Sequence, residues 1–184
     1  MKITLFNHLQ LDEIPSGSGI AKCGNDYYVI GDDSPFLYKL DENLKIIAKT
    51  LISDAIPTEG NRIIKSEKPD FETLELINEN ELVVFGSGSK SPQRDVFVRV
   101  FLNDPLLIEK YDLSEFYNQL RNLPLFQNSE LNIEATAYHE DQLYLFNRRK
   151  NLILKFAYQQ FLKFLKGGKS NSKTGNKGIY VTQN

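Results

Sequence analysis

The sequence predicts an all-β chain in which about three blades form a partial β-propeller, with one short helix inserted between two of them. Three observations lead to this prediction. A unit of strand-like runs and turns occurs three times, the units recur at roughly 55 to 60 residues, and the middle run of each unit is apolar on both faces. A chain of 184 residues is long enough for one domain with a substantial core.

The first unit begins near Ser18. Three short runs, at residues 18–23, 27–31 and 36–40, are separated by Gly, Asn, Asp, Ser and Pro. Short runs bounded by such turn residues are typical of strands joined by hairpins. We therefore predict a three-stranded meander for this unit.

The same arrangement of runs and turns occurs twice more along the chain. The second unit has runs at residues 71–77, 82–85 and 96–100, and the third has runs at 132–138, 143–146 and 152–156. Three occurrences of one supersecondary unit indicate a repeat architecture. With the strands that flank them, the predicted blades cover about residues 14–50, 68–111 and 130–165, all within a partial propeller at 1–165.

The middle runs distinguish a propeller from its main competitor. Their sequences, YYVI, LVVF and LYLF, do not alternate between apolar and polar residues. Such strands need cover on both sides, which the neighbouring blades of a propeller provide. A two-layer sandwich, the competing fold, predicts alternation in most strands.

The segments between and after the units need separate interpretations. Residues 112–124 predict the short inserted helix, with Ser114 as its N-cap and a proline stop. Residues 158–165, YQQFLKFL, are compatible with either an outer strand or a short helix. Residues 166–178 have the Lys, Gly and Ser composition of a flexible linker. Residues 179–184 suggest the start of a further strand, which would open a fourth blade.

Composition limits the classes of partner. Basic residues number 22 and acidic residues 24, so the net charge of −2 gives no global attraction to nucleic acid or to an anionic membrane. The amino end lacks the pattern of a signal peptide, and no run approaches the length of a membrane helix. We therefore predict a cytoplasmic protein with neither type of partner. The single cysteine, Cys23, excludes an internal disulfide and is expected to be a semi-buried strand residue.

Three pairs of segments carry a resemblance. SGIA with GDDSP, FETLEL with GSGSK, and NIEATA with LFNR resemble an uncharacterised bacterial family of predicted β-propellers, which is itself similar to phytase-like propellers. The resemblance covers about residues 14–165. It implies more blades than three, and through the phytase-like proteins it implies calcium binding and hydrolysis of phosphate esters. Three blades would then point to a fragment, or to self-association through unclosed blade faces.

Propeller geometry predicts where a site would lie. The inner strand of each blade begins at the same end as the loop between its second and third strands. This end, the upper face, collects Ser18, Glu72 and Glu134 with the loops at 32–35, 86–94 and 147–151. Glu72 and Glu134 are the candidate metal ligands, for a hard cation such as calcium, with Asp32, Asp33 or Asn132 as further oxygen donors. The alternative is that both glutamates accept structural hydrogen bonds from backbone amides.

The same loops provide candidates for ligand binding, which are Asp32, Asp33, Lys90, Arg94, Arg148 and Arg149. Guanidinium and ammonium groups bind phosphate or carboxylate, and Arg does so with two hydrogen bonds. The alternative is an ordinary solvated loop surface. The Gly86 to Ser89 stretch lacks the Gly-Lys-Ser/Thr ending of a nucleotide-binding loop.

These features support three hypotheses about function. The first is a binding module for a small anionic ligand or a protein segment on the upper face. The second is a calcium-dependent phosphoesterase of the phytase-like type, and the third is an inactive fragment of a longer propeller. No catalytic residue is identified, because neither His8 nor His139 has a suitable partner spacing and no serine lies in a nucleophile elbow. Calcium is the one candidate cofactor.

Overall fold

The computed structural model describes residues 8–167 and 180–182, and it contains three antiparallel sheets of four strands each. In every sheet the strands pair in chain order, so each sheet is a meander of the kind found in propeller blades. The predicted all-β, propeller-like array of three units is therefore confirmed. The array is open, because no strand of the described residues joins the third sheet to the first.

The strands and helices have the following bounds. The first sheet contains β1 (Gly17–Cys23), β2 (Asp26–Gly31), β3 (Phe36–Leu40) and β4 (Ile46–Leu51). The second contains β5 (Phe71–Asn78), β6 (Glu81–Gly86), β7 (Val96–Phe101) and β8 (Leu107–Asp112). The third contains β9 (Ile133–His139), β10 (Gln142–Asn147), β11 (Leu152–Ala157) and β12 (Tyr180–Thr182). The α-helices are α1 (Ser114–Arg121) and α2 (Tyr158–Leu165).

Each sheet has an outer fourth strand beyond the three runs that the repeat predicted. In the first two sheets these strands are β4 and β8, which pair with β3 and β7. In the third sheet β12 pairs with β11 through Val181 and Leu154. The strand signal near residue 180 therefore completes the third sheet and does not open a fourth.

The inserted helix is confirmed as α1, but its predicted cap is wrong. Ser114 is the first helical residue and Leu113 is the N-cap. The carboxylate of Asp112 accepts a 2.7 Å hydrogen bond from the Ser114 backbone nitrogen instead. An aspartate just before the helix can satisfy a free N–H at this end, so no serine cap is needed. Phe116 and Leu120 are buried, as the helical spacing predicts.

The segment for which the sequence allowed either a strand or a helix is the helix α2. Phe161 and Leu162 pack into the core between the second and third sheets. The Tyr158 hydroxyl donates a 2.5 Å hydrogen bond to Glu81, which also accepts a 2.7 Å hydrogen bond from Arg99. All three polar side chains are buried, so this network attaches α2 to the second sheet. The described residues thus contain two α-helices, the predicted one and α2.

The inner strands set the order of the sheets around the array. The Ser18 hydroxyl of β1 donates a 2.5 Å hydrogen bond to the Phe71 carbonyl of β5. On the other side of β5, the hydroxyls of Thr136 and Thr73 lie 2.9 Å apart. The second sheet therefore lies between the other two, and every residue of β6 is buried.

The outer faces of the two end sheets differ. On the first sheet, Tyr38 and Leu40 are fully buried and pack in one cluster with Leu11 and Ile14 from the segment before β1. On the third sheet, the exposed fractions of Phe146 and Ile153 are 36% and 37%. Cover on both faces of the middle strand therefore holds for LVVF but not for LYLF, because no described segment packs on the far face of the third sheet.

The predicted linker at residues 166–178 lies largely outside the described residues. Residues 166–167 form a turn after α2, and residues 168–178 are not described. Within the described ranges, no helix has the length and apolar composition needed to cross a membrane.

Candidate functional site

One backbone hydrogen bond is repeated at the upper face of all three sheets. The residue after each middle strand donates its N–H to the carbonyl of the residue before the inner strand. The three pairs are Asp32 to Ser16 at 3.0 Å, Ser87 to Asp70 at 2.9 Å, and Arg148 to Asn132 at 2.9 Å. Because the inner strands continue from the acceptors, Ser18, Glu72 and Glu134 occupy equivalent positions beside the three loops.

The loops approach the inner strands too closely for most side chains. A Cβ atom on Gly86 would lie 2.6 Å from the Arg94 carbonyl oxygen and 2.7 Å from that of Pro69. On Gly31, it would lie 2.1 Å from the carbonyl oxygen of Pro15. Glycine at the end of the middle strand therefore allows the close approach of backbone that forms the upper face.

The third sheet has Asn147 at this position instead of glycine. Its side-chain oxygen accepts a 2.6 Å hydrogen bond from the backbone nitrogen of Asn132. Its amide nitrogen donates to the carbonyls of Glu130 and Arg149 at 3.3 and 2.5 Å. A buried asparagine amide thus makes the connection that direct backbone packing makes in the first two sheets.

Lys68 lies at the centre of the charged groups between the first and second sheets. Its ammonium is 2.9 Å from Asp32 Oδ2, 2.9 Å from Asp33 Oδ1 and 2.8 Å from Asp70 Oδ1. Burial alone would lower the pKa of Lys68, but the hydrogen bonds to Asp70, Asp32 and Asp33 outweigh it and raise the pKa. Lys68 therefore stays charged and holds the loop after β2 against the entry to β5.

Asp70 is the most buried acid that Lys68 contacts. Its side chain is 8% exposed, and its Oδ2 accepts hydrogen bonds from the Ser87 hydroxyl at 2.7 Å and from Arg94 at 2.5 Å. Arg94 also donates to the Ser89 hydroxyl at 2.6 Å. The carboxylate is therefore fixed in position by both neighbouring loops.

Glu72 differs from the other acids of the upper face. It is half-buried, and within the described residues its carboxylate makes no hydrogen bond or ion pair. The pKa of Glu72 is raised to about 7, mainly by burial and further by the nearby carboxylates of Asp70, Asp32 and Glu134. An unpaired carboxylate in this position is stabilised either by a proton or by a bound cation.

Three carboxylates converge at this point. One oxygen each from Asp32, Asp70 and Glu72 lies within 4.8 Å of the other two. Asp32 Oδ1 is buried and has no hydrogen-bond partner among the described residues, while its Oδ2 faces Lys68. We call these three residues the acidic triad. It has the oxygen donors that a hard cation prefers, and two of its carboxylates have free acceptor capacity.

The structure brings together only part of the predicted metal site. Glu72 and Asp32 belong to the acidic triad, but Glu134 does not. Glu134 instead accepts a 2.7 Å hydrogen bond from the side-chain amide of Asn132 and lies 3.3 Å from the Arg148 guanidinium. Neither glutamate is held by backbone amides, which was the structural alternative.

Asp33 is committed to structural contacts. It binds Lys68 and, at 2.5 Å, Arg62, and it accepts a 3.0 Å hydrogen bond from the Ser16 hydroxyl. Burial alone would raise the pKa of Asp33, but the hydrogen bonds from Lys68 and Ser16 and the charge of Arg62 lower it overall. Asp33 is therefore ionised and paired at neutral pH.

The predicted cationic candidates have different partners and do not meet at one point. Arg94 is bonded to Asp70 and Ser89, as described above. Arg148 is paired with Glu134, and Arg149 lies 3.4 Å from Glu130 with 63% of its side chain exposed. Lys90 is exposed and makes no side-chain hydrogen bond within the described residues. Of these four cations, only Arg94 contacts a member of the acidic triad within the described residues.

Sequence reasoning missed Lys68, Asp70 and Arg62. Asp70 could have been found from the repeat, because it stands two residues before Glu72 just as Asn132 stands two residues before Glu134. Lys68 and Arg62 come from the long connection between β4 and β5, which has no counterpart in the repeated unit. Only the folded chain shows that they return to the upper face.

Serine and histidine chemistry has little support among the described residues. The Ser87 hydroxyl donates to the Asp70 carboxylate at 2.7 Å and lies 2.8 Å from the Ser89 hydroxyl. His139 ends β9 at the opposite end of the sheets and lies 3.6 Å from Glu140. The chemistry available at the upper face is therefore that of carboxylates, guanidinium groups and an ammonium.

Comparisons with known proteins add the following. No curated protein matches the sequence. Among solved structures, the chain is similar to Kuenenia stuttgartiensis hydrazine synthase, with 10% identity, a TM-score of 0.47, and coverage of 86% of this chain and 37% of that one. It is also similar to the β-propeller domain of Myceliophteria thermophila Cps50 (Swd1), with 12% identity, a TM-score of 0.45, and coverage of 78% and 40%.

The chain thus spans about two fifths of the length of these two structures. One family model matches residues 13–180, a range that includes the whole of the upper face described above. The chain belongs to this family, DUF6929, a family of unknown function.

Proposed function

We propose that the chain is a binding module that holds a divalent cation on its upper face, with the acidic triad as its protein ligands. The observation that carries the proposal is the half-buried carboxylate of Glu72, which has no partner within the described residues and lies beside Asp32 and Asp70. Calcium accepts six to eight oxygen ligands, so Glu72 with both oxygens and Asp32 through Oδ1 would need several waters to complete the coordination.

The contacts of Lys68 are compatible with this proposal. Lys68 binds Asp32 through Oδ2 and leaves Oδ1 without a partner. A cation at Asp32 Oδ1 and Glu72 therefore does not require Lys68 to leave. It would also remove the repulsion between the carboxylates that raises the pKa of Glu72.

The direct test is a titration of the chelator-treated protein with calcium, magnesium and manganese chlorides, followed by calorimetry and thermal unfolding. We expect saturable binding of at least one ion and a melting temperature that rises with its concentration. Glu72→Gln should weaken binding at least tenfold. Glu67→Gln, which removes an exposed acid outside the triad, should not change it, and Glu134→Gln should have a small effect. Equal binding by the Glu72→Gln variant, or binding of none of the ions, would contradict the proposal.

A calcium-dependent phosphoesterase is the second candidate. The observation that favours it is the position of Arg94, which contacts Asp70 of the acidic triad at 2.5 Å, because a guanidinium group beside a bound cation can bind a phosphate. Arg94 and Arg148 would then bind the phosphate beside the cation. Hydrolysis of p-nitrophenyl phosphate in calcium, lost in the Glu72→Gln variant, would support this candidate. If a cation binds but the substrate is not hydrolysed, the result supports the binding module and not the phosphoesterase.

The third candidate is a small anionic ligand or an acidic protein segment bound by Arg148 and Arg149. The exposed fractions of the Arg148 and Arg149 side chains are 69% and 63%, and their ion pairs of 3.3 and 3.4 Å are long. Exposed pairs of this kind contribute little, so both guanidinium groups are available. Calorimetry with inorganic phosphate on the native chain and on an Arg148→Met, Arg149→Met variant tests this candidate, which requires binding that the double variant loses.

A further inference from the structure

A second concave surface lies between the first and second sheets, beside the upper face but separate from the acidic triad. It is a cleft of about 600 Å³ formed where β4 and β8 end, together with the loops at residues 67–69 and 92–95. This volume is within the range of roughly 300 to 1,000 Å³ that is typical of binding clefts. We call it the inter-sheet cleft.

The floor of the inter-sheet cleft is mainly apolar. Ile52 and Pro69 line it and are buried, while Ala55, Val96 and Tyr111 line it and are half-buried. Such a floor favours an apolar group of an occupant, because covering it removes apolar surface from water.

The rim of the inter-sheet cleft is acidic. Asp54, Glu67 and Asp112 are exposed, and Lys110 is the one cation among the lining residues. The carboxylate of Asp95, in the wall, is already bound by Arg121 at 2.6 Å. Three carboxylates against one ammonium leave the cleft with an excess of negative charge, which disfavours phosphates and nucleic acids.

The single cation of the rim is weakly held. Lys110 lies 2.6 Å from Asp54, whose side chain is 91% exposed. Because solvent-exposed ion pairs of this kind contribute little, an incoming guanidinium or ammonium group can replace Lys110 at small cost. The carboxylate of Glu67 makes no hydrogen bond or ion pair within the described residues, so it is directly available.

From this combination we infer that the inter-sheet cleft binds a short peptide segment of a partner protein, in which Lys or Arg residues alternate with apolar residues. The apolar side chains would cover Val96 and Tyr111, and the basic side chains would reach Glu67 and Asp112. A lone metal ion would leave the apolar floor uncovered, and an uncharged apolar molecule would leave the carboxylates unpaired. The inference does not depend on cation binding by the acidic triad, since the two sites share no residue.

The test uses three labelled heptapeptides as probes, Gly-Leu-Arg-Leu-Arg-Leu-Gly, its counterpart with Glu for Arg, and its counterpart with Ser for Leu. Binding is followed by fluorescence anisotropy at two salt concentrations, and the contact surface is mapped from amide chemical shifts. We expect the Leu-Arg peptide to bind more than tenfold more tightly than either counterpart, and to shift the signals of Ala55, Val96 and Tyr111. Its affinity should fall as salt increases.

A variant with Glu67→Gln and Asp112→Asn should weaken binding of the Leu-Arg peptide at least threefold. Asparagine at 112 can still accept the hydrogen bond from Ser114, so α1 keeps its start. The control variant, Glu42→Gln with Glu79→Gln, makes the same change of charge in exposed turns at the opposite end and should bind normally. Equal loss in both variants, equal binding of the Glu peptide, absence of binding, or shifts confined to other surfaces would each overturn the inference.

Discussion

The ammonium of Lys68 lies 2.8 Å from Oδ1 of Asp70, and the two residues are separated in sequence by a single proline. Through its other two hydrogen bonds the same ammonium reaches Asp32 and Asp33, which follow a strand of the first sheet. A local pair in the sequence thus connects two sheets. Three carboxylates of the upper face therefore share this lysine, and for Asp32 it is the one cationic partner within the described residues.

We therefore expect Lys68→Met to destabilise the fold by about 2 to 4 kcal/mol, because it leaves partly buried carboxylates without their cation. Denaturant unfolding of the variant measures this loss. Lys65→Met is the matched control, since Lys65 is exposed and its side chain makes no hydrogen bond or ion pair within the described residues. The stability of this variant should differ from that of the native chain by about 0.5 kcal/mol or less. Similar losses in the two variants would show that the Lys68 contacts contribute little.

Glu72 should make stability depend on pH near neutrality. Its pKa rises from an ordinary 4.5 to about 7 in the folded chain, so the folded state binds more protons than the unfolded state between these values. The contribution of Glu72 to stability therefore falls as the pH rises from about 4.5 through 7.

Glu72→Gln should remove that slope and raise stability at pH 8 by about 1 to 2 kcal/mol, after allowance for solvent screening. Unfolding free energies measured at half-unit steps from pH 5 to 8.5, without divalent ions, provide the comparison. Parallel pH profiles for the native chain and the variant would show that the pKa of Glu72 is not raised.

Gly86→Ala should destabilise the chain by about 2 kcal/mol or more, because the new Cβ would lie 2.6 and 2.7 Å from two carbonyl oxygens. Neither oxygen belongs to a flexible side chain, so relief requires a backbone shift. Gly17→Ala is the control, since nothing lies within 4 Å of its added Cβ. We expect thermal unfolding to separate the two variants by several degrees, and equal melting temperatures would be inconsistent with the close approach.

The open face of the third sheet should mediate self-association. Phe146 and Ile153 are partly exposed there, and two copies can bury them against each other. In sedimentation, the mean mass should rise above 21.1 kDa as the protein concentration increases. Phe146→Ser with Ile153→Ser should abolish the rise, while Ile56→Ser with Leu107→Ser, exposed apolar residues elsewhere, should leave it intact. A mass of one chain at all concentrations would contradict this prediction.

Much of the fold follows from local sequence pattern. The runs around β2, β6 and β10 are short, apolar and bounded by turn residues, and strand pairing between neighbours in the chain needs no long-range information. The same pattern did not identify α2, because an eight-residue segment in which apolar and polar residues are mixed fits a helix or a strand equally well. Packing of Phe161 and Leu162 between two sheets decides in favour of the helix.

The site was predictable only in part, because local pattern places residues along the strands but does not show which side chains meet between sheets. Glu72 and the loop carrying Asp32 belong to the repeated unit, so their meeting at the upper face follows from the order of strands alone. Lys68 lies near the end of a long connection without repeat or periodicity, and the pairing of Glu134 with Arg148 depends on side-chain geometry. The sequence by itself determined the repeat, and therefore which end of the sheets carries the charged groups. The tertiary structure alone decided which carboxylates are paired, because ion pairing depends on distances between sheets that no local pattern records.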